Sequence, residues 1–205
     1  MSDIAVARTP VHIELDTDDI RVFAAAAQSL NPAYRLAEHP VVPPTFLPAG
    51  GRIAAWRTET DHRFFGPPPR AGDRLTAIRT LDRDGAGPDG PTSESLTQYF
   101  DRTGGLIAES WSSTAGAPEP VADQAAPRAV ALLATYATDW LGAENIRRFR
   151  TRVLRPLPPA ATVSCVGHIT QHYVQDGEAR VDVTLAGADA AGEVVVRGWA
   201  SFARD

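Results

Sequence analysis

Few side chains in this chain can move a proton near neutral pH. There are five histidines, one cysteine and no lysine; the 20 other basic side chains are all arginine. Without lysine there is no Schiff-base amine and no Walker-type phosphate loop. The candidates for acid–base work are Tyr34, His39, Asp61, His62 and Asp139. Asp61 and His62 adjoin in a strand-like run, so they point to opposite faces and do not form a pair. His168 and His172 are four apart in another such run and share a face by the same alternation. A metal would need a third ligand that the pattern lacks, so a solvated sheet face is the plainer reading. Arg148, Arg150 and Arg152 also alternate. Such a row is ordinarily solvated, although it could meet phosphates or an acidic protein surface. Cys165, within "TVSCVG", reads as buried filler, and Trp111 and Trp199 read as core.

The composition places these groups in an ordinary globular chain. Of 205 residues, 43% are hydrophobic and 22% charged. The net charge of −5 excludes a general affinity for nucleic acid or anionic membranes. No apolar run approaches the roughly 18 residues of a membrane span. "MSDIAVARTP" lacks the layout of a signal peptide, so a cytoplasmic location is expected. With no ligand cluster and no dinucleotide fingerprint, no metal or redox cofactor is expected.

The elements follow from periodicity. Asp16 to Leu30 reads as a helix capped by Asp16 or Thr17, with Ile20, Phe23, Ala27 and Leu30 as its apolar stripe and "NPAY" ending it. A short helix is expected from about Leu47 to Trp56. Strands are expected over 74–81, 94–101 and 106–113, with "DRDGAGPDGPTS" as a turn or loop. "TAGAPEPVADQAAP" is the linker, a second helix spans 128–141, and Gly142 stops it. Further strands follow in "RRFRTRVL", "ATVSCVGHITQHYV", "ARVDVTLAGA" and "EVVVRGWASFA". Asp176-Gly177 is the hairpin turn between the second and third of these.

Two segments recur. "RFFGPPPRAGD" from Arg63 returns 89 residues later as "RVLRPLPPAAT", and "GGLIAESWSS" from Gly104 returns 88 residues later as "GEVVVRGWAS". Two landmarks in order, one residue apart in offset, point to a duplication rather than a solenoid. Each half is then a helix followed by a meander of antiparallel strands, an α+β unit used twice. The boundaries expected are 1–116 for the first half, 117–126 for the linker and 127–205 for a shortened second half.

In detail the chain resembles the tandem-hotdog branch of the MaoC-like dehydratases and enoyl thioester hydratases. The marks are "FAAAAQSLNPAYRL", "VVPPTF", "RFFGPPPRAGDRL" and "TQYFDRTGGLIAES" in the first half, and "GAENIRRFRTRVLRPLPPAATV" and "GEVVVRGWASF" in the second. The resemblance covers nearly the whole chain. It implies a double hotdog, each half an antiparallel sheet wrapped around a helix. It also implies an acyl thioester on coenzyme A or an acyl carrier protein, or a related polyketide-type substrate, with water added or removed at the β-carbon. Asn31, Phe46, Trp56, Arg63 and Arg152 are the expected substrate contacts. A homodimer, or a hetero-oligomer with another hotdog subunit, is the expected assembly.

The chain departs from the family at its catalytic pair, an Asp and a His in the pattern D-x-N-P-x-H. Laid on "SLNPAY", Ser29 replaces the Asp and Tyr34 replaces the His. The corresponding part of the second half, "APEPVADQAAP", holds no His. One reading is an enzyme, dehydratase-like or a derived cyclase or isomerase, that uses Tyr34, His39 or His62. Another is a non-catalytic, acyl-binding partner of a subunit that carries the pair. A third is a binding or structural protein that has lost catalysis.

Overall fold

The computed structural model describes residues 9–47, 57–87, 90–115, 125–155 and 161–204. Nine antiparallel strands form one sheet. They are β1 (Val11–Glu14), β2 (Arg57–Phe64), β3 (Arg74–Gly87), β4 (Gly90–Phe100), β5 (Leu106–Ala115), β6 (Ile146–Val153), β7 (Ser164–Gln175), β8 (Glu178–Ala188) and β9 (Val194–Ala203). Their order across the sheet is β1-β3-β4-β5-β2-β6-β9-β8-β7, so β2 and β6 join the halves. The helices are α1 (Thr17–Ala26), α2 (Pro32–Arg35) and α3 (Ala125–Leu141).

The ladder registers carry the repeat. His62 faces Ser110 on β2 and β5; shifted by 89 and 88, the pair becomes Thr151 facing Gly198, as found on β6 and β9. Ser95 facing Ser112 likewise becomes Val183 facing Ala200. The outer ladder of each half has a one-residue bulge, between Arg79 and Leu81 in β3 and between Ile169 and Gln171 in β7. The two copies meet head to head, with Asp61 opposite its own repeat equivalent, Arg150, in the β2–β6 ladder.

Several elements differ from the sequence reading. The first helix stops at Ala26, because Gln28 turns left-handed (φ 58°), and Leu30 is exposed rather than part of the stripe. "NPAY" ends no helix but starts one: Asn31 caps α2 and Pro32 fills its first turn. β1 was not legible as a strand. The supposed loop after residue 81 is paired strand nearly to its tip, with Gly85 opposite Thr92 and Gly87 opposite Gly90. The helix proposed over 47–56, most of the linker and the second proline cluster lie wholly or largely outside the described residues. α1 is not the repeat partner of α3: moved on by 89, it lands on β5.

α3 packs across β6, β9, β8 and β7. Its close approach needs small residues beneath it. A Cβ on Gly198 would lie 3.0 Å from Leu133 and 3.2 Å from Leu185. In the first half the equivalent of Gly198 is Ser110, and no described helix lies across β2, β4 and β5 as α3 does on its own half. Gly198→Ser, which installs the first-half residue, is expected to cost about 1–3 kcal/mol by overpacking, whereas Gly66→Ala, with nothing within 4 Å, is near neutral. Urea unfolding of the two variants checks this.

Candidate functional site

Strand alternation gives β2 two faces. Thr58, Thr60, His62 and Phe64 point to the helix side; Glu59, Asp61 and Arg63 point outward. On the helix side, His62 is 4% exposed and its Nδ1 lies 3.0 Å from the Ser110 hydroxyl. Ser110 also hydrogen-bonds the Tyr99 phenol on β4. Burial, only partly opposed by the Asp61 charge, pushes the His62 pKa down to about 4. The imidazole is therefore neutral at pH 7, with Nδ1 engaged and Nε2 left to act as donor or acceptor. Burial raises the Tyr99 phenol, with Ser110 and Arg79 opposing, so it stays protonated. Around this trio the face is hydroxyl-rich. Ser95 and Ser112 hydrogen-bond at 2.8 Å, Thr60 and Thr151 at 2.9 Å across the β2–β6 junction, and the Thr97 hydroxyl is buried with no partner.

Outside the same strand, Asp61 serves as an ion-pair hub. Arg148 reaches it at 2.6 and 2.9 Å, and Arg63 at 3.1 Å. Burial alone would raise the Asp61 carboxyl, but hydrogen bonds and charge from Arg148, with Arg63, hold it below the usual carboxylate range. Arg150 pairs with Glu59 and lies 5.9 Å from the Trp199 ring. The arginine row is therefore largely neutralised; Arg152 is its exposed end. Beside it lies an open groove of about 470 Å³ that includes Arg63, Arg147, Arg148 and Arg180. Asp61 and Glu178 already hold these four, so the groove is no ready-made anion site.

The "SLNPAY" segment is fastened to α3. Ser29 Oγ donates to Asp139 Oδ1 at 3.3 Å, Asn31 Nδ2 to the Thr138 carbonyl at 3.2 Å, and the Thr135 hydroxyl to the Ala27 carbonyl at 3.1 Å. Tyr34 is 1% exposed. Its hydroxyl borders a cavity of about 10 Å³, enough for about one water, together with the unpartnered Thr45 hydroxyl. Burial raises its pKa. Thr138 lies near enough to ease that, but its own hydroxyl donates to the Ala134 and Thr135 carbonyls and makes no well-formed bond to the phenol.

The other expected residues are dispersed. His39 is exposed on the loop after α2, beside Gly72. Phe46 stacks edge-on against Phe23 at 5.4 Å. Arg63 and Arg152 lie on the outer face, away from His62, and Trp56 lies outside the described residues. His168 and His172 do not share a face. The bulge between Ile169 and Gln171 sets His168 beside outward Thr184 and His172 beside inward Val181. No cluster of three His, Cys, Asp or Glu fit to hold a metal occurs among the described residues. Cys165 packs on the core, and burial pushes its thiol up to about 11, which leaves it inert. Trp199 is 41% exposed and Trp111 donates to Glu94 at 2.8 Å, so neither is plain core. Ser110 and Tyr99 were missed from the sequence because nothing in their spacing marks them; the signal was the alternation Ser95, Thr97, Tyr99.

No family model matches the chain, and no curated protein does. Solved structures do. A MaoC-like dehydratase superposes with TM-score 0.75 at 12% identity, over 97% of this chain and 98% of the other. A Mycobacterium tuberculosis protein described as having a double hotdog fold gives 0.59 at 12% identity, over 97% and 96%. The chain is a double hotdog. A putative oleoyl thioesterase from Lactobacillus plantarum, at TM-score 0.53 and 12% identity over 98% of both chains, is similar to the same double hotdog. Fold alone therefore does not fix the reaction.

His62 gives the double hotdog an acid sensitivity. As pH falls, the unfolded chain protonates its histidine near 6.5, whereas the native state resists until about 4. Stability is lost between those values, by up to about 3 kcal/mol, and this contribution is flat below them. His62→Gln is expected to remove that loss, read as the difference in urea midpoint between pH 7 and pH 4.5.

Proposed function

We propose that this double hotdog belongs with the MaoC-like proteins and acts on an acyl thioester carried by coenzyme A or an acyl carrier protein. The reaction is the reversible loss of water across the α and β carbons, or a cyclisation or isomerisation derived from it. The observation that carries this reading is the His62–Ser110–Tyr99 cluster on the helix side of the first half-sheet. A neutral imidazole is the form a general base needs. In dehydration, His62 Nε2 takes the α proton, and the electrons of the C–H bond form the new double bond. The C–O bond breaks, and the departing hydroxide takes the proton back from His62 as water. Ser110 fixes the ring through Nδ1, and Tyr99 orients Ser110.

Tyr34 and His39 are the weaker candidates, since burial holds the Tyr34 phenol protonated, unable to serve as a base, and His39 stands on an exposed loop. A second reading is favoured by Ser29 and Tyr34 at the positions of the family's Asp and His. The chain then binds the acyl group for another hotdog subunit that supplies the pair.

Hydration of short enoyl thioesters, followed by loss of the conjugated absorbance, separates the two. Catalysis by this chain predicts turnover by the purified protein, a fall in kcat of about 100-fold in His62→Gln, and little change in Tyr34→Phe. Turnover only after a subunit with the Asp/His pair is added supports the partner reading. Turnover unchanged in His62→Gln removes His62 from the mechanism.

A further inference from the structure

The two halves share registers but not polarity on the helix side, and the difference lies where an acyl chain would run. In the second half this face is hydrocarbon. Phe149, Val183, Leu185 and Ala200 form it, with Gly198 admitting α3. Moving back by 89 or 88 residues replaces them with Thr60, Ser95, Thr97, Ser112 and Ser110. The β4 segment makes the inversion plain. Ser95 (1% exposed) and Thr97 (6%) face inward, while Leu96 between them faces outward, opposite Trp111.

The fold does not require these hydroxyls, because the same ladder packs well with Val, Leu and Ala in the other half. They also work against stability. An unpartnered buried hydroxyl such as that of Thr97 costs about 1–3 kcal/mol. Arg79 lies on this face, opposite Thr97 in the β3–β4 ladder and near the Tyr99 phenol, while His62 is neutral at pH 7 and Asp61 lies on the far side. A row of hydroxyls, each able to donate and accept, with one guanidinium at its β3 border, matches a chain bearing oxygens of its own.

We infer that the first half-sheet binds an oxygenated acyl chain, one with oxo or hydroxyl groups beyond the β-carbon, in preference to a plain alkyl chain. Thr97 and the Ser95–Ser112 pair are its specificity-determining contacts. The inference rests on the acyl-thioester reading and sharpens it. Discrimination of this kind is strong in one direction, because an alkyl chain would leave the buried Thr97 hydroxyl unpaired whereas an oxygenated one satisfies it.

The test is calorimetric binding of three probes to the full chain: hexanoyl-pantetheine, 5-oxohexanoyl-pantetheine and N-butyl-5-oxohexanamide, which has the oxygenated chain but no thioester. The oxo thioester is expected to bind about ten-fold or more tighter than the hexanoyl one, a difference on the scale of one paired hydroxyl. Thr97→Val and Ser112→Ala, which copy the apolar character of the second half and leave a native circular dichroism spectrum, should erase most of that preference. Equal or tighter binding of hexanoyl-pantetheine overturns the inference and leaves the thioester reading standing. A preference that both variants leave intact also overturns it. Binding of the amide with the same Thr97 dependence, while neither thioester binds, sustains the oxygenated-chain inference and removes the thioester reading. No binding of any probe overturns both.

Discussion

The β2–β6 ladder is the constraint on which the rest depends. It joins the two half-sheets into one sheet of nine strands. On the helix side, Thr60 and Thr151 hydrogen-bond across it. On the outer side, Asp61 and Glu59 pair with Arg148 and Arg150. Arg148 and Arg150 are 38% and 43% exposed, so their attraction alone contributes little. Asp61 is 8% exposed, and a buried carboxylate without partners would be costly. These pairs fix register more than they add stability, and register decides what faces the interior. A slip by one residue would put Asp61 on the helix side and His62 outside.

That fixed register makes the halves comparable position by position, and the comparison separates packing from function. In the second half, α3 closes on its strands over Gly198, where a Cβ would meet Leu133 at 3.0 Å, and Gly187 makes room within the sheet layer, where a Cβ would meet Val196 at 2.7 Å and Val163 at 3.0 Å. The repeat equivalents in the first half are Ser110 and Tyr99, two of the three members of the His62 cluster. One copy keeps these positions small for close packing, and the other places hydrogen-bonding groups there. The "SLNPAY" segment has a structural part: Ser29 and Asn31 bind α3 at Asp139 and Thr138, so it ties the N-terminal helices to the second half.

How far the sequence could be read depended on how local each signal was. Gly142 ends α3 with φ 91°, and Asp176 and Gly177 make the hairpin with φ of 55° and 80°, because left-handed backbone marks its residues directly. The duplication was legible from its proline and tryptophan landmarks. β1 was not legible as a strand, and β2 was legible only as the strand-like run around Asp61 and His62. β1 alternates but is only four residues long, too short for the pattern to stand out, and β2 is polar on both faces. The bulge in β7 separated two histidines that ideal alternation would put together. The hydroxyl face was hidden for a further reason: a period-2 reading of "SESLTQYF" turns Leu96 inward, and only long-range pairing shows that Ser95 and Thr97 take the interior. The His62–Ser110–Tyr99 cluster joins three strands and has no signature within any one of them.

The central claim is that the acyl chain lies on the helix side of the first half-sheet. The most direct measurement is photo-crosslinking with an acyl-pantetheine thioester whose chain carries a diazirine, followed by peptide mapping. The account predicts adducts within β2, β4 and β5, between residues 57–64 and 90–115, and their suppression by unlabelled thioester. Competable adducts confined to the second half-sheet, 146–203, or to the Ser29–Thr45 segment would contradict it.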